Sequence, residues 1–283
     1  MRLLRQHRHA LVGRVLFCSV LAVVAVVPAE AQEMVTTGPI EYDRVRVSGF
    51  VWRGPVNGTI SAPVFEGIPG LEDGLDVAED LGFDKQSAGW LVGADVGFAG
   101  RHRFMFTAVG IGHSALSNVA IADVGELISD TELSIRDFGG AYKYLFSSRS
   151  WIDAGAIVGL GYFHNEVDTT LSLETETGGE IITRTAGLSE VLASPYPLIG
   201  GSVLLKSADI ISIYAQITGF PSVEVGSQSG WVMNIDIDFI VYATPNIGII
   251  AGYKRYQLSL EEGSGVAVNL TWDGYVIGGQ YIF

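Results

Sequence analysis

Between Trp231 and Tyr242 the side chains alternate: Trp231, Met233, Ile235, Ile237, Phe239 and Val241 form one set, and Asn234, Asp236, Asp238 and Tyr242 belong to the other. A period of two belongs to an extended strand, whose successive side chains point to opposite faces. The split returns in Ile211, Ile213, Ala215 and Ile217 against Ser212, Tyr214, Gln216 and Thr218. It returns again in Ile152, Ala154, Ala156, Val158, Leu160 and Tyr162 against Asp153, Gly155, Gly159, Gly161 and Asn165, and in Trp90, Val92, Ala94, Val96 and Phe98 against Gly93, Asp95 and Gly97. After Gln32 no apolar run is long enough for a transmembrane helix, so if this chain enters a bilayer it must do so as a closed barrel, the other fold that satisfies every backbone group in lipid.

Composition favours the bilayer. The 283 residues are 48% hydrophobic and only 17% charged, with 36 glycines, which is apolar for a soluble globule. The expected fold is all-β: a transmembrane antiparallel up-and-down barrel of about ten strands, with small or glycine positions facing a narrow interior. The strands are expected at roughly 43–54, 87–99, 102–116, 131–146, 150–171, 184–205, 209–220, 230–243, 247–260 and 268–283, with boundaries good to about three residues. Tight connections near Gly100, Ser147 to Arg149, Ser207 to Ala208 and Pro245 to Asn246 alternate with longer ones. An even count places both barrel ends, and the tight turns, on the periplasmic side. Strands one, three and nine have ambiguous facing; in strand three Phe104 and Phe106 alternate with the equally apolar Met105, Val109 and Ile111.

Residues 1–31 read as a cleaved signal peptide: Arg2, Arg5, Arg8 and Arg14, then an apolar stretch from Val15 to Val27, then Ala29 and Ala31. The barrel domain is expected over 32–283. Cys18, the single cysteine, lies in the apolar stretch behind the bulky Phe17, so it leaves with the signal and the mature chain has no thiol chemistry. The chain carries a net charge of −14, and losing the basic leader makes the remainder more acidic. That excludes nucleic acid as an expected partner.

The longest connection, about Gly54 to Gln86, carries Pro55, Pro63, Pro69 and the acids Glu72, Asp73, Asp76, Glu79, Asp80 and Asp84. Leu71, Leu75, Val77, Leu81 and Phe83 interleave with them, which fits either a solvated surface loop, the favoured reading, or a short amphipathic helix over the barrel mouth.

The final segment runs from Trp272 to Phe283, with Tyr275, Ile277, Gly279, Tyr281 and Phe283 on one face. It resembles the C-terminal signature of bacterial outer-membrane proteins. The whole strand pattern is similar to the small barrels that include the outer membrane protein A transmembrane domain and outer membrane protein X, although those have eight strands. The resemblance implies the outer membrane of a Gram-negative bacterium, reached by export through the periplasm. It also implies the barrel-assembly machinery as a biogenesis partner reading Tyr275, Ile277, Tyr281 and Phe283, and lipopolysaccharide and phospholipid as lipid partners. The external ligand stays open.

Chemistry is weakly signalled. His113, Ser114, Ser117 and Asn118 loosely resemble the His-x-Ser-Asn motif of lipid A 3-O-deacylases, but His113 and Ser114 are adjacent and face opposite ways. Ten-stranded outer-membrane aspartyl proteases use Asp and His residues, and Asp236 and Asp238 are consecutive inward positions that resemble such a pair. The favoured reading is a lumen polar network of Asp95, Asp137, Lys143, Asp153, Asp236, Asp238 and Lys254, because buried charges require partners. His102, His113 and His164 are widely spaced, so no metal, cofactor or catalytic residue is expected. The expected function is a non-enzymatic barrel with an envelope-structural or surface-interaction role through acidic outer loops. The alternatives are a narrow porin-like channel and a hydrolase acting on lipid A or peptides.

Overall fold

The computed structural model describes residues 44–63, 74–81, 87–98, 100–121, 125–177, 180–207, 210–225 and 228–283. The segment read as a signal peptide lies outside these, as do Leu71, Glu72, Asp73, Phe83 and Asp84 of the first connection.

Among the described residues twelve strands form one sheet: β1 Val45–Gly54, β2 Val56–Ser61, β3 Leu75–Asp76, β4 Ser87–Phe98, β5 His102–Ile121, β6 Gly125–Ser148, β7 Ile152–Thr177, β8 Glu180–Ser207, β9 Ile211–Val225, β10 Gln228–Tyr242, β11 Ile247–Glu262 and β12 Ala267–Ile282. Ten of them, β1 and β4 to β12, pair antiparallel with their neighbours in sequence, and β1 pairs β12 to close the barrel. Val47 opposite Tyr281 and Gly49 opposite Gly279 set the closing register. β12 ends at Ile282, one residue before Phe283.

β2 continues β1. Arg53 pairs Tyr275 and Val56 pairs Trp272, which is one uninterrupted register along β12. Pro55 breaks the strand assignment because it has no N–H to donate. β3 then adds to β2 through Thr59 opposite Asp76 and Ile60 opposite Leu75.

The connections near 100, 149–151, 208–210 and 243–246 define a basal end, and β12 finishes there. At the distal end only two or three residues separate β5 from β6, β7 from β8 and β9 from β10. Segments expected as long loops are therefore strand, and β7 and β8 run 26 and 28 residues. The β8–β9 ladder ends at Ile199 opposite Gly219. Pro197 and Pro195 follow on β8, and Pro221 falls opposite Pro197 in the continued register, so the next rungs lack donors. The Tyr196 and Phe220 rings, stacked at 5.0 Å, bridge the two strands where the ladder stops.

Two zones divide strands β6, β7 and β11. In the basal zone the outward residues are apolar, as in Phe104 and Phe106 of β5, Tyr142, Tyr144 and Phe146 of β6, Val158, Leu160 and Tyr162 of β7, Ile249 of β11, and Ile277 of β12. The stretch Ile152 to Tyr162, at about 3.3 Å per residue and a tilt of about 40°, rises about 25–28 Å, which matches the ~25 Å apolar band of transmembrane barrels. Above that zone the polarity inverts while the facing stays fixed. On β7 the outward residues become His164, Glu166, Asp168 and Thr170, while Phe163, Val167 and Leu171 are buried inside. β11 does the same: Arg255, Gln257, Ser259 and Glu261 lie outside and Tyr256, Leu258 and Leu260 inside. The distal barrel thus has an apolar core and, on β6, β7 and β11, a polar coat, as a soluble protein does, while Leu116 of β5 and Ile181 and Val191 of β8 remain exposed apolar positions on its outside.

Candidate functional site

The interior is the candidate site, and its side chains form three layers. In the basal layer charges pair. Arg103 Nε donates to Asp95 Oδ1 at 2.5 Å, with Lys143 Nζ 3.8 Å from the other carboxylate oxygen and Arg46 nearby. Lys254 Nζ lies 2.6 Å from Asp236 and 3.7 Å from Asp238. Lys206 Nζ lies 2.7 Å from Asp153, which also accepts from Ser148 Oγ at 2.9 Å. The paired lysines, Arg103 and the four aspartates are each less than a fifth exposed, so water screens the pairs weakly. Two aromatic faces complete the layer: Tyr214 sits 5.6 Å from Lys143 Nζ and Phe50 sits 5.1 Å from Lys254 Nζ. Gly252 is opposite Asp238, and a Cβ there would lie 2.2 Å from the Asp238 carboxylate, so the pair geometry depends on that glycine.

The middle layer centres on Asp137. Tyr196 donates its hydroxyl to both carboxylate oxygens at 2.8 Å, and the buried Tyr256 stands near the same carboxyl. Tyr196 reaches inward by lying flat over Gly161, where a Cβ would meet the ring at 2.1 Å. Asp137 thus stands apart from the ion pairs among the described residues and is held by a phenol.

The distal layer is a stopper. Val56 and Ile60 of β2, with Leu75, Val77 and Leu81, are fully buried in one cluster with Leu127, Leu133, Leu171, Val268 and Leu270 of the wall. Trp52 stacks on Trp272 at 3.6 Å, and Trp272 donates its indole N–H to the Gly54 carbonyl at 3.1 Å. Local chemistry shapes the loop: Asp76 Oδ1 accepts the N–H groups of Ala78 and Glu79 at 2.8 Å, and Val77 N–H binds the Gly58 carbonyl at 2.8 Å. Ser129 Oγ donates to the Asp80 carbonyl at 2.8 Å and ties the loop to β6. The described part of the first connection, 74–81, is therefore a turn packed into the barrel mouth. It is neither the solvated loop nor the amphipathic helix that its composition favours, because its apolar side chains find the inverted core of the distal barrel.

The expected polar network accordingly divides: Asp95 with Lys143, and Asp236 and Asp238 with Lys254, come together, while Asp153 takes Lys206. Arg103 and Lys206 escape a sequence reading because strand β5 is apolar on both faces and Lys206 ends β8 beside a turn. Tyr196 is hidden between two prolines. Of the C-terminal residues, Tyr275, Ile277 and Tyr281 face outward and exposed, and Phe283 follows the strand end half-buried.

His113 faces inward and its Nδ1 lies 3.0 Å from Ser87 Oγ, while Ser114 and Asn118 face out, exposed. Burial lowers the His113 pKa below the ordinary histidine value. Ser87 is 1% exposed, so its hydroxyl is enclosed and is not presented to a substrate. His164 faces outward opposite Arg136, and His102 contacts the Tyr142 hydroxyl in the basal aromatic belt. Among the described residues no group of three or more His, Cys, Asp or Glu side chains is arranged to hold a metal.

The chain matches no family model and no curated relative. Among solved structures, the outer membrane protease OmpT from Escherichia coli is 11% identical, with a TM-score of 0.56 over 88% of this chain and 99% of that chain. The translocator domain of the autotransporter NalP from Neisseria meningitidis is 8% identical, with a TM-score of 0.38 over 94% and 98%. The outer membrane protein OprG from Pseudomonas aeruginosa is 12% identical, with a TM-score of 0.36 over 86% and 97%. The likeness to OmpT is one of fold: this chain has the ten-stranded antiparallel architecture of an outer-membrane β-barrel, and at 11% identity the likeness carries no chemistry.

Proposed function

We propose that this chain is a non-enzymatic outer-membrane barrel, sealed to solutes, whose rigid acidic extension outside the membrane serves envelope integrity or contact with the surroundings. The observation that carries the reading is the stopper. Leu75, Val77 and Leu81 are fully buried in the mouth, and exposing three such side chains costs about 5–9 kcal/mol at ~1.5–3 kcal/mol each. An opening of that cost is populated less than about once in a thousand molecules. Below it, the ion pairs fill the narrow lumen.

In this reading the basal end faces the periplasm and the inverted distal zone stands outside the cell. Export uses residues 1–31, and the assembly machinery reads the face of Tyr275, Ile277, Tyr281 and Phe283. The surface that the distal zone offers is acidic, with Asp130, Glu132, Glu166 and Asp168 outward on β6 and β7. A hydrolase reading finds less support, because His113 is engaged by the enclosed Ser87 while Ser114 faces outward, and Asp236 and Asp238 are engaged by Lys254.

Planar-bilayer recording of the refolded protein tests the seal. The expected trace is silent across the usual voltage range, whereas steady, uniform conductance steps would replace the sealed barrel with the channel.

A further inference from the structure

The β8–β9 ladder ends at Ile199 opposite Gly219, and β9 gives way to β10 after Val225, which falls level with Ala193 in the continued register. β7 and β8 run on together, without a register shift, to Thr177 opposite Glu180. Among the described residues, β8 from Glu180 to Leu192 is therefore paired on one side only, and its other side is an open sheet edge.

Proteins ordinarily blunt such an edge with proline, charge or a bulge. Pro195 and Pro197 do this lower down: they leave the β7 ladder unbroken, so the odd-numbered residues of β8 aim their backbone groups away from β7. From 180 to 192 there is no proline and no bulge. The odd-numbered side chains there, Ile181, Thr183, Thr185, Gly187, Ser189 and Val191, face outward, are exposed and carry no charge. On the neighbouring β7 the outward side chains include Glu166, Asp168 and Glu174. An uncharged lane thus borders the open edge of an acidic sheet.

We infer that this edge pairs with the same edge of a second copy of the chain, antiparallel about Ala186, the midpoint of the free stretch. A two-fold there sets Ile181 opposite Val191, Thr183 opposite Ser189 and Thr185 opposite Gly187, so apolar meets apolar, hydroxyl meets hydroxyl, and no like charges face each other on the outward side. Glu180 of the second copy comes level with Leu192, so the added strand ends where the β9–β10 tip begins. The acids of the two β7 strands then stand three strand spacings apart, about 14 Å, beyond the Debye length of about 8 Å at physiological salt. Their repulsion is largely screened. Antiparallel pairing also points the two barrels in opposite directions, whereas barrels of one bilayer share a direction. The second copy therefore stands in a facing membrane, and the contact joins two cells.

The cell-to-cell step rests on the membrane reading above, so edge pairing and embedding are measured separately. After residue 31 the chain has no cysteine, so single cysteines report the pairing. Thr183→Cys and Ser189→Cys proteins, mixed in detergent and mildly oxidised, are expected to form disulfide-linked dimers, because paired Cα atoms lie about 5.5 Å apart. Either protein alone gives about tenfold less, since its own cysteine and that of the second copy are six residues out of register, about 20 Å apart. Heat-modifiable migration reports whether each variant is folded, and flotation with liposomes reports whether it is embedded. Liposomes carrying the wild type are expected to cluster, read by energy transfer between two differently labelled vesicle populations. Thr183→Lys with Ser189→Lys, and separately Thr183→Glu with Ser189→Glu, set like charges opposite each other and lower clustering roughly tenfold, and vesicles of the two variants mixed together regain it. Single-cysteine proteins that dimerise alone as well as in the mixture would overturn the inference, as would folded charge variants that cluster like the wild type. A mixture of charge variants that stays dispersed would also overturn it and give the edge to a foreign extended chain. Cross-linking in the mixture without flotation would uphold the edge pairing and remove the membrane reading.

Discussion

Replacing Lys254 with Met removes a cation that lies within 4 Å of both Asp236 and Asp238 and over the Phe50 ring, while keeping an unbranched side-chain stem. Lys254 is 5% exposed, Asp238 6% and Asp236 16%, so two carboxylates are left facing each other on adjacent inward positions of β10 with little water to screen them. Breaking a buried pair by removing one partner costs about 3–5 kcal/mol. Loss of the Phe50 contact adds about 0.5–1 kcal/mol. Urea unfolding in liposomes, followed by tryptophan fluorescence at neutral pH, measures this as a drop of about 3–5 kcal/mol for Lys254→Met. In Lys254→Met with Asp236→Asn and Asp238→Asn the uncompensated charge is gone, and at least half of the lost stability returns. A single variant within about 1 kcal/mol of wild type, or a triple variant no more stable than the single one, refutes the idea that compensation of buried charge holds this layer together.

Three further outcomes follow from the other layers. Tyr196→Phe removes both hydrogen bonds to Asp137 and lowers stability by about 1.5–3 kcal/mol in the same unfolding assay. Gly161→Val drives a side chain into the Tyr196 ring and is expected to cost about as much or more, seen as a loss of heat-modifiable folded material. The His113 ring titrates below the ordinary value of about 6.5 when followed by its NMR resonance against pH. Because the folded value is the lower one, the unfolded chain takes up the proton first as pH falls below about 6.5, so His113→Gln flattens the decline of stability from there down to the folded value.

The lipid-facing band was the most legible part of the fold. Lipid demands apolar side chains at every outward position, so Trp231 to Val241 and Ile152 to Tyr162 declare their facing by polarity alone. Strand β5 does not, since Phe104 and Met105 are both apolar; only the ladder shows that Phe104 meets lipid and Met105 the interior. The distal zone was misread for a related reason. Leu133, Ile135, Val167 and Leu171 occupy the same inward parity as Asp137 and Asp153, and outside the bilayer the apolar face is the inner one. A rule that sends apolar residues outward therefore ends the strands too early and turns the rest into loop. The stopper was invisible for the same cause: Leu75, Val77 and Leu81 look like the stripe of a surface helix until an inverted core is there to receive them. Within the lumen, the charged positions on alternating strands were readable, but the partner choice of Asp153 for Lys206 and of Asp137 for Tyr196 depends on cross-strand register, which sequence does not carry.

Strand β7 holds both zones, and the part of the chain after residue 31 has no cysteine, so single cysteines along it can carry a spin label for accessibility measurements in liposomes. The account predicts high oxygen accessibility at Val158, Leu160 and Tyr162, high accessibility to a water-soluble nickel chelate at Glu166, Asp168 and Thr170, and low accessibility to both at Phe163, Val167 and Leu171. Nickel chelate reaching Val167 and Leu171 as freely as Asp168 would contradict the sealed mouth, and oxygen accessibility continuing from Tyr162 through Thr170 would contradict the inversion on which the account is built.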